Sequence, residues 1–192
     1  RRSPAPSSCR RAARACGNWG RRGHPGHGCH PDRRGRDYRP GHGCCRHPDR
    51  DRASLSADLA DWLQQDRVLW LDHGYLEGDD TDAHIDTLAR FASPDSIVYQ
   101  ACDDQSDSHY AELQAMGNEL AALRTRDGKP YRLFPLPWAQ PVIDEGRRLA
   151  ASYANYLIVN GAVLMPAYGD PADDLARDVL AKAHPGREIV QV

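Results

Sequence analysis

The first 52 residues contain no Leu, Ile, Val, Met or Phe. A segment without those side chains cannot bury enough apolar surface to offset its ordering entropy, so disorder is expected there. The whole chain lacks an apolar run of the roughly 18–20 residues that a membrane-crossing helix needs, and nothing near the start has the continuous apolar centre of a secretory signal. Cysteine is also nearly absent beyond residue 52, where only Cys102 occurs, which excludes a disulfide framework in that part. The cytosol is the expected compartment, and with no Met at its first position the chain is not expected to begin at a natural start.

What the first 52 residues do hold is positive charge, with 14 of the 25 basic residues against 4 of the 27 acidic ones. Residues 53–192 have the reverse balance, 11 basic against 23 acidic. Five cysteines (Cys9, Cys16, Cys29, Cys44, Cys45) and five of the nine histidines also fall in the basic segment. Three readings follow. Runs such as Arg33-Arg34-Gly35-Arg36 suit an arm that binds nucleic acid, although Trp19 and Tyr38 are its only stacking side chains. A zinc knuckle from Cys29, His30, His42, Cys44, Cys45 and His47 lacks the Cys-x-x-Cys pair such sites use. The Arg, Gly, Pro, His, Cys and Ala composition is also that of GC-rich DNA translated in a shifted frame.

The chain is organised around GDDTDAHID, residues 78–86. In an extended backbone alternate side chains share a face, which would gather Asp80, Asp82, His84 and Asp86. Three carboxylates and an imidazole on one short face repel one another and lose hydration when covered, so a cationic partner should accompany them. An acidic turn capping a helix is the plainer reading. A calcium loop counted from Asp80 would need Gly and Glu where Ile85 and Phe91 stand, and a zinc site would need further nitrogen or sulfur donors.

From residue 53 the chain reads as one α/β domain. Ser54 or Ser56 can cap a helix carrying Leu55, Leu59, Trp62 and Leu63, and residues 67–71 read as a buried strand. A pattern then occurs twice. Residues 88–92 and 97–101 form a hairpin around Ser93-Pro94-Asp95-Ser96, an acidic linker at 103–107 leads to a helix over about 109–125, and 131–136 is a strand. In the second pass, strands at 153–159 and 162–166 flank an Asn160-Gly161 turn, a helix covers about 172–183, and 188–192 is the closing strand. Each unit is strand, strand, helix, strand. The helix and strand before residue 72 read as the tail of an earlier unit, so a fragment of a larger repeated architecture is expected.

GDDTDAHIDTLARF, RLAASYANYLIVNGAVLMPAYGDPADDLA and PGREIVQV together resemble the agmatine deiminases, which share a domain family with bacterial peptidylarginine deiminases. The resemblance covers about residues 46–192. It implies a partial five-bladed α/β propeller, the pentein fold, with a central substrate channel, and it implies hydrolysis of agmatine to N-carbamoylputrescine and ammonia in polyamine synthesis, without a metal or organic cofactor. A planar guanidinium is best held by carboxylates in forked hydrogen bonds. By resemblance Asp86 and Asp80 are such carboxylates, His84 is the general acid/base, and Asn155 lines the site.

The family's nucleophile is a cysteine in a Gly-rich segment that has no counterpart here, nor does its early Trp and Asp motif. Cys102 lies outside any matching motif. The chain by itself is therefore expected to be inactive, with pairing into dimers implied for the full-length protein. The alternatives are deimination of arginine within peptides, and a non-catalytic deiminase-like core carrying a nucleic-acid-binding arm.

Overall fold

The computed structural model describes residues 30–31, 37–38, 51–79 and 84–192, and the chain divides into two units, Arg1–Trp70 and Leu71–Val192. The nucleic-acid, zinc and shifted-frame readings of the basic segment fall mainly on residues outside the described ones; what is described of that segment is two short strands, β1 (His30–Pro31) and β2 (Asp37–Tyr38), which pair antiparallel, and residues 51–52.

In the first unit helix α1 (Arg52–Trp62) begins at Asp51, not at Ser54 or Ser56. Asp51 Oδ1 accepts from the Ser54 amide at 2.8 Å while Ser54 Oγ accepts from the Asp51 amide at 3.0 Å, a reciprocal cap that satisfies two otherwise open donors. None of the helix is buried, and Trp62 and Leu63 are exposed. Residues 67–71, expected as a strand, have no ladder partner among the described residues and run as irregular chain. Trp70 is fixed through its side chain instead, with Nε1 donating to Ser56 Oγ at 2.8 Å and the Arg52 guanidinium 5.0 Å above its ring.

The second unit contains the repeat in the expected order. Strands β3 (Ala89–Ser93) and β4 (Ser96–Gln100) form the hairpin, helix α2 (Tyr110–Ala122) crosses over, and β5 (Arg132–Leu136) pairs parallel to β4 from Ser96 beside Arg132 to Gln100 beside Leu136. A two-residue hairpin that the sequence reading did not assign follows, β6 (Ile143–Asp144) and β7 (Arg147–Arg148), turned by Glu145 and Gly146, both at positive φ. The second repeat is β8 (Leu157–Val159), β9 (Ala162–Met165), α3 (Ala172–Ala183) and β10 (Glu188–Gln191), again antiparallel and then parallel. β8 is shorter than expected because residues 153–156 form a turn whose polar groups bond to side chains rather than to a neighbouring strand.

Helix spacing decides what lies between the layers. Leu113, Met116 and Leu120 share one buried face of α2 and pack with Leu88, Ala89, Ile97 and Cys102. Ala176, Leu180 and Ala183 bury one face of α3 in a second cluster with Val98, Leu136, Tyr153, Tyr156, Val163 and Met165. Ile97 and Val98 point to opposite faces of β4, as neighbours in a strand must, so this central strand is covered on both sides.

Candidate active site

The segment that leads into β3 is a tight turn. His84 is extended (φ −69°, ψ 143°) and precedes a 3-10 turn, Ile85–Thr87. The Thr87 amide and hydroxyl both donate to the His84 carbonyl, at 3.2 and 2.9 Å, which closes the turn. The alternation that would put His84 and Asp86 on one strand face therefore stops at Ile85, which is itself exposed. His84 is exposed and Asp86 half-buried, while Asp80 and Asp82 lie outside the described residues.

Asn155 occupies the matching place in the second repeat, in the turn that leads into β8, and its side chain is exposed. The two turns are joined by Ser152. Its hydroxyl donates to the Thr87 carbonyl at 2.6 Å and lies 3.2 Å from Gln100 Oε1, and its own carbonyl faces the Asn155 amide at 3.4 Å. Tyr168 fixes Ser152 in turn, its hydroxyl accepting from the Ser152 amide at 2.8 Å and lying 3.1 Å from the Ser152 carbonyl.

Gln100, the last residue of β4, is buried and bonded at both ends of its amide. Nε2 donates to the Ala101 and Pro137 carbonyls at 2.9 and 2.7 Å, and Oε1 accepts from the Tyr153 amide at 3.0 Å. Its backbone amide donates to the Leu88 carbonyl at 2.8 Å, one residue beyond the His84 turn. On the far side of Asn155 the Arg90 guanidinium donates to the Tyr156 carbonyl and stands 4.6 Å over the Tyr156 ring. The segments bearing His84, Asp86 and Asn155 are thus fixed to one another through buried groups. None of the three side chains hydrogen-bonds another of them.

A second polar cluster holds the start of the acidic stretch. Asp107 accepts from Arg148 at 2.6 and 3.2 Å, from Trp138 Nε1 at 3.0 Å and from the His109 amide at 3.0 Å, and it meets His109 Nδ1 at 2.6 Å. Burial alone would push the Asp107 carboxyl up, but Arg148 and the His109 and Trp138 donors hold it well below the usual carboxylate range. His109 Nε2 accepts from the Glu77 amide at 2.7 Å. That bond requires a bare Nε2, so the ring proton sits on Nδ1 and is donated to Asp107. Burial, reinforced by Arg148 and opposed by Asp107, lowers the His109 pKa and favours this neutral form. Beside Glu77, Gly78 has φ +83°, and a Cβ there would stand 2.2 Å from the Arg148 carbonyl oxygen.

Sequence reasoning missed this cluster, having read Asp107 as part of an acidic linker, and it missed Gln100 and Ser152 as well. The clue available was a His two residues from an Asp in a stretch otherwise hydrophilic, which is weak. Cys102 is buried, its thiol pushed up to about 11 chiefly by burial, so it is not a poised nucleophile. Among the described residues no three His, Cys, Asp or Glu side chains converge as a metal-binding set. A cleft of about 330 Å³ between residues 135–138 and the Leu175, Asp178, Val179 and Lys182 side of α3 does not include His84, Asp86 or Asn155.

Residues 43–192 match the family of Porphyromonas-type peptidyl-arginine deiminases. Agmatine deiminase of Pseudomonas putida is 33% identical over 165 residues, covering 77% of this chain and 45% of that protein, so the chain spans about half the length of the curated relatives it matches. A Porphyromonas gingivalis structure provisionally assigned as an arginine deiminase superposes with a TM-score of 0.74 at 47% identity, over 78% of this chain and 44% of that one. A cysteine-to-serine variant of C. jejuni agmatine deiminase with substrate bound does so with a TM-score of 0.70 at 36% identity, over 76% and 42% of the two chains. With a family match over residues 43–192, a shared α/β architecture and solved relatives at 47% and 36% identity, the chain belongs to the Porphyromonas-type peptidyl-arginine deiminase family.

Proposed function

We propose that residues 53–192 are part of a deiminase domain that hydrolyses the guanidinium of agmatine to N-carbamoylputrescine and ammonia. The observation that carries this reading is the Ser152 to Thr87 hydrogen bond, which fastens the His84 and Asp86 turn to the Asn155 turn at equivalent places in two repeats. In a five-bladed propeller such turns would face a common channel, and two units of the same strand, strand, helix, strand order support that architecture.

Asp86 and Asp80 are assigned to the guanidinium, which stays protonated at physiological pH and presents paired N–H donors to carboxylates. Asn155 lines the same space. His84 protonates the departing ammonia and then takes a proton from the water that completes hydrolysis. The carbon is attacked by a thiolate in the family's chemistry. Cys102, buried and hard to ionise, does not supply it, so the nucleophile comes from outside the described residues and the described part alone does not turn over. Homodimeric assembly and a place in cytoplasmic putrescine synthesis belong to the same reading.

The family description favours a second substrate, arginine within peptides. Titration calorimetry of the chain with agmatine, with an arginyl peptide and with putrescine, which lacks the guanidinium, tests both. Heat from agmatine that is absent for putrescine and lost in Asp86→Asn supports the first reading. Heat from the peptide alone supports the second, and agmatine and putrescine binding alike would defeat both.

A further inference from the structure

We infer that His109 and Asp107 are positioning residues of the site: the imidazole, oriented by Asp107, captures the Glu77 amide and so fixes the chain where Gly78 opens the acidic stretch. The acceptor bond is 2.7 Å, the ring is 1% exposed, and it is stacked on Tyr75 at 5.4 Å and tilted against Trp138 at 5.1 Å. Asp107 is itself clamped by Arg148 and Trp138, so neither partner is free to swing. From the opposite side Gly78 rests against the backbone of residues 148–150. Because Nε2 is occupied by a backbone amide, this buried Asp–His pair cannot serve as a base towards a substrate, despite its resemblance to one. Its effect on function comes through the backbone position of Glu77 and Gly78, and that part of the inference rests on the proposed function.

The hold depends on pH. A second proton on the ring would go to Nε2 and turn the acceptor into a donor facing the Glu77 N–H, which breaks the bond. The charged groups facing the ring are Asp107 and Glu77, which favour the added proton, and Arg148, which with burial opposes it. Burial lowers the His109 pKa below the ordinary 6.5, so the hold is complete at neutral pH and is lost only as pH falls through that lowered value.

Nitrogen-15 NMR of the full chain tests this without reference to catalysis. At pH 7.5 the His109 proton should be on Nδ1, with a coupling across the hydrogen bond between Glu77 N and His109 Nε2, and the Glu77 amide should exchange on the order of a hundredfold more slowly than an open amide. On stepwise acidification through the lowered His109 pKa the coupling should vanish and Glu77 exchange accelerate about tenfold or more, while the β4 amides stay protected. His109→Gln, whose carbonyl can take the place of Nε2 but does not titrate, should keep Glu77 protected across the titration, and His109→Ala at no point in it. A proton on Nε2 at pH 7.5, an unprotected Glu77 amide, or loss of protection only in step with β4 would overturn the inference. Equal agmatine affinity in wild type and His109→Ala would overturn the positioning role while leaving the hydrogen bond. Failure of agmatine to bind the wild type, with the NMR pattern intact, would instead defeat the proposed substrate.

Discussion

The Ser152 hydroxyl and the Thr87 carbonyl, 65 positions apart in the chain, meet at 2.6 Å. This bond ties together the lead-in turns of two repeats, and Gln100 backs it from within the sheet. Replacing Ser152 by Ala removes the donor to Thr87 and the acceptor for the Ala154 amide. The expected cost is about 1–3 kcal/mol in denaturant unfolding, with weaker agmatine binding. Gln100→Leu, which strips partners from the Tyr153 amide and the Ala101 and Pro137 carbonyls, should cost more than Ser152→Ala.

Gly78 and Gly128 form a matched pair of tests. Both have positive φ, but a Cβ at Gly78 would meet the Arg148 oxygen at 2.2 Å while one at Gly128 meets nothing within 4 Å. Gly128→Ala should cost about 1 kcal/mol for conformation alone, whereas Gly78→Ala should cost at least twice that. Equal losses in paired unfolding curves would show that the close approach at Gly78 does not exist in solution.

Stability should fall with acidification below about pH 6.5. His109 and His184 are both buried, and burial lowers both pKa values in the folded state. The unfolded chain therefore takes up protons near 6.5 before the native chain does, and folding is penalised from that pH down to the folded values. Asp107, held low, removes a further contribution as pH drops below 3.8. His73, raised by Glu119, works in the opposite sense but is largely exposed and contributes little. Thermal melts from pH 7.5 to 5 should show a falling Tm, flattened in part by His109→Gln, and a level profile would contradict the buried neutral rings.

Cys102 should resist alkylation in the native protein. Its thiol is buried and pushed up to about 11, so the reactive thiolate is scarce at neutral pH. Peptide mass spectrometry after iodoacetamide treatment should find Cys102 modified only once the protein is unfolded, and rapid native labelling would reopen its candidacy as a nucleophile.

The repeat was legible because its signals are local. Asn160-Gly161 and Ser93-Pro94-Asp95-Ser96 announce hairpins, and Leu113, Met116 and Leu120 announce a helix face. Residues 67–71 misled because an apolar run states burial without stating a ladder partner. Residues 153–156 misled because Tyr153 and Tyr156 are buried as a strand's would be, yet their backbone is satisfied by Gln100 Oε1 and the Arg90 guanidinium. The Asp107 cluster gathers residues 77, 109, 138 and 148 from separate segments, and no window of sequence contains that geometry.

The most direct test of the central claim is an amide and side-chain NMR titration of the chain with agmatine at pH 7.5. The guanidinium reading predicts concerted, saturable shifts of His84, Asp86 and Asn155 that Asp86→Asn weakens about ten- to a hundredfold, the effect of losing a charge-assisted pair. Shifts confined to other residues, with those three unmoved at saturation, would contradict it.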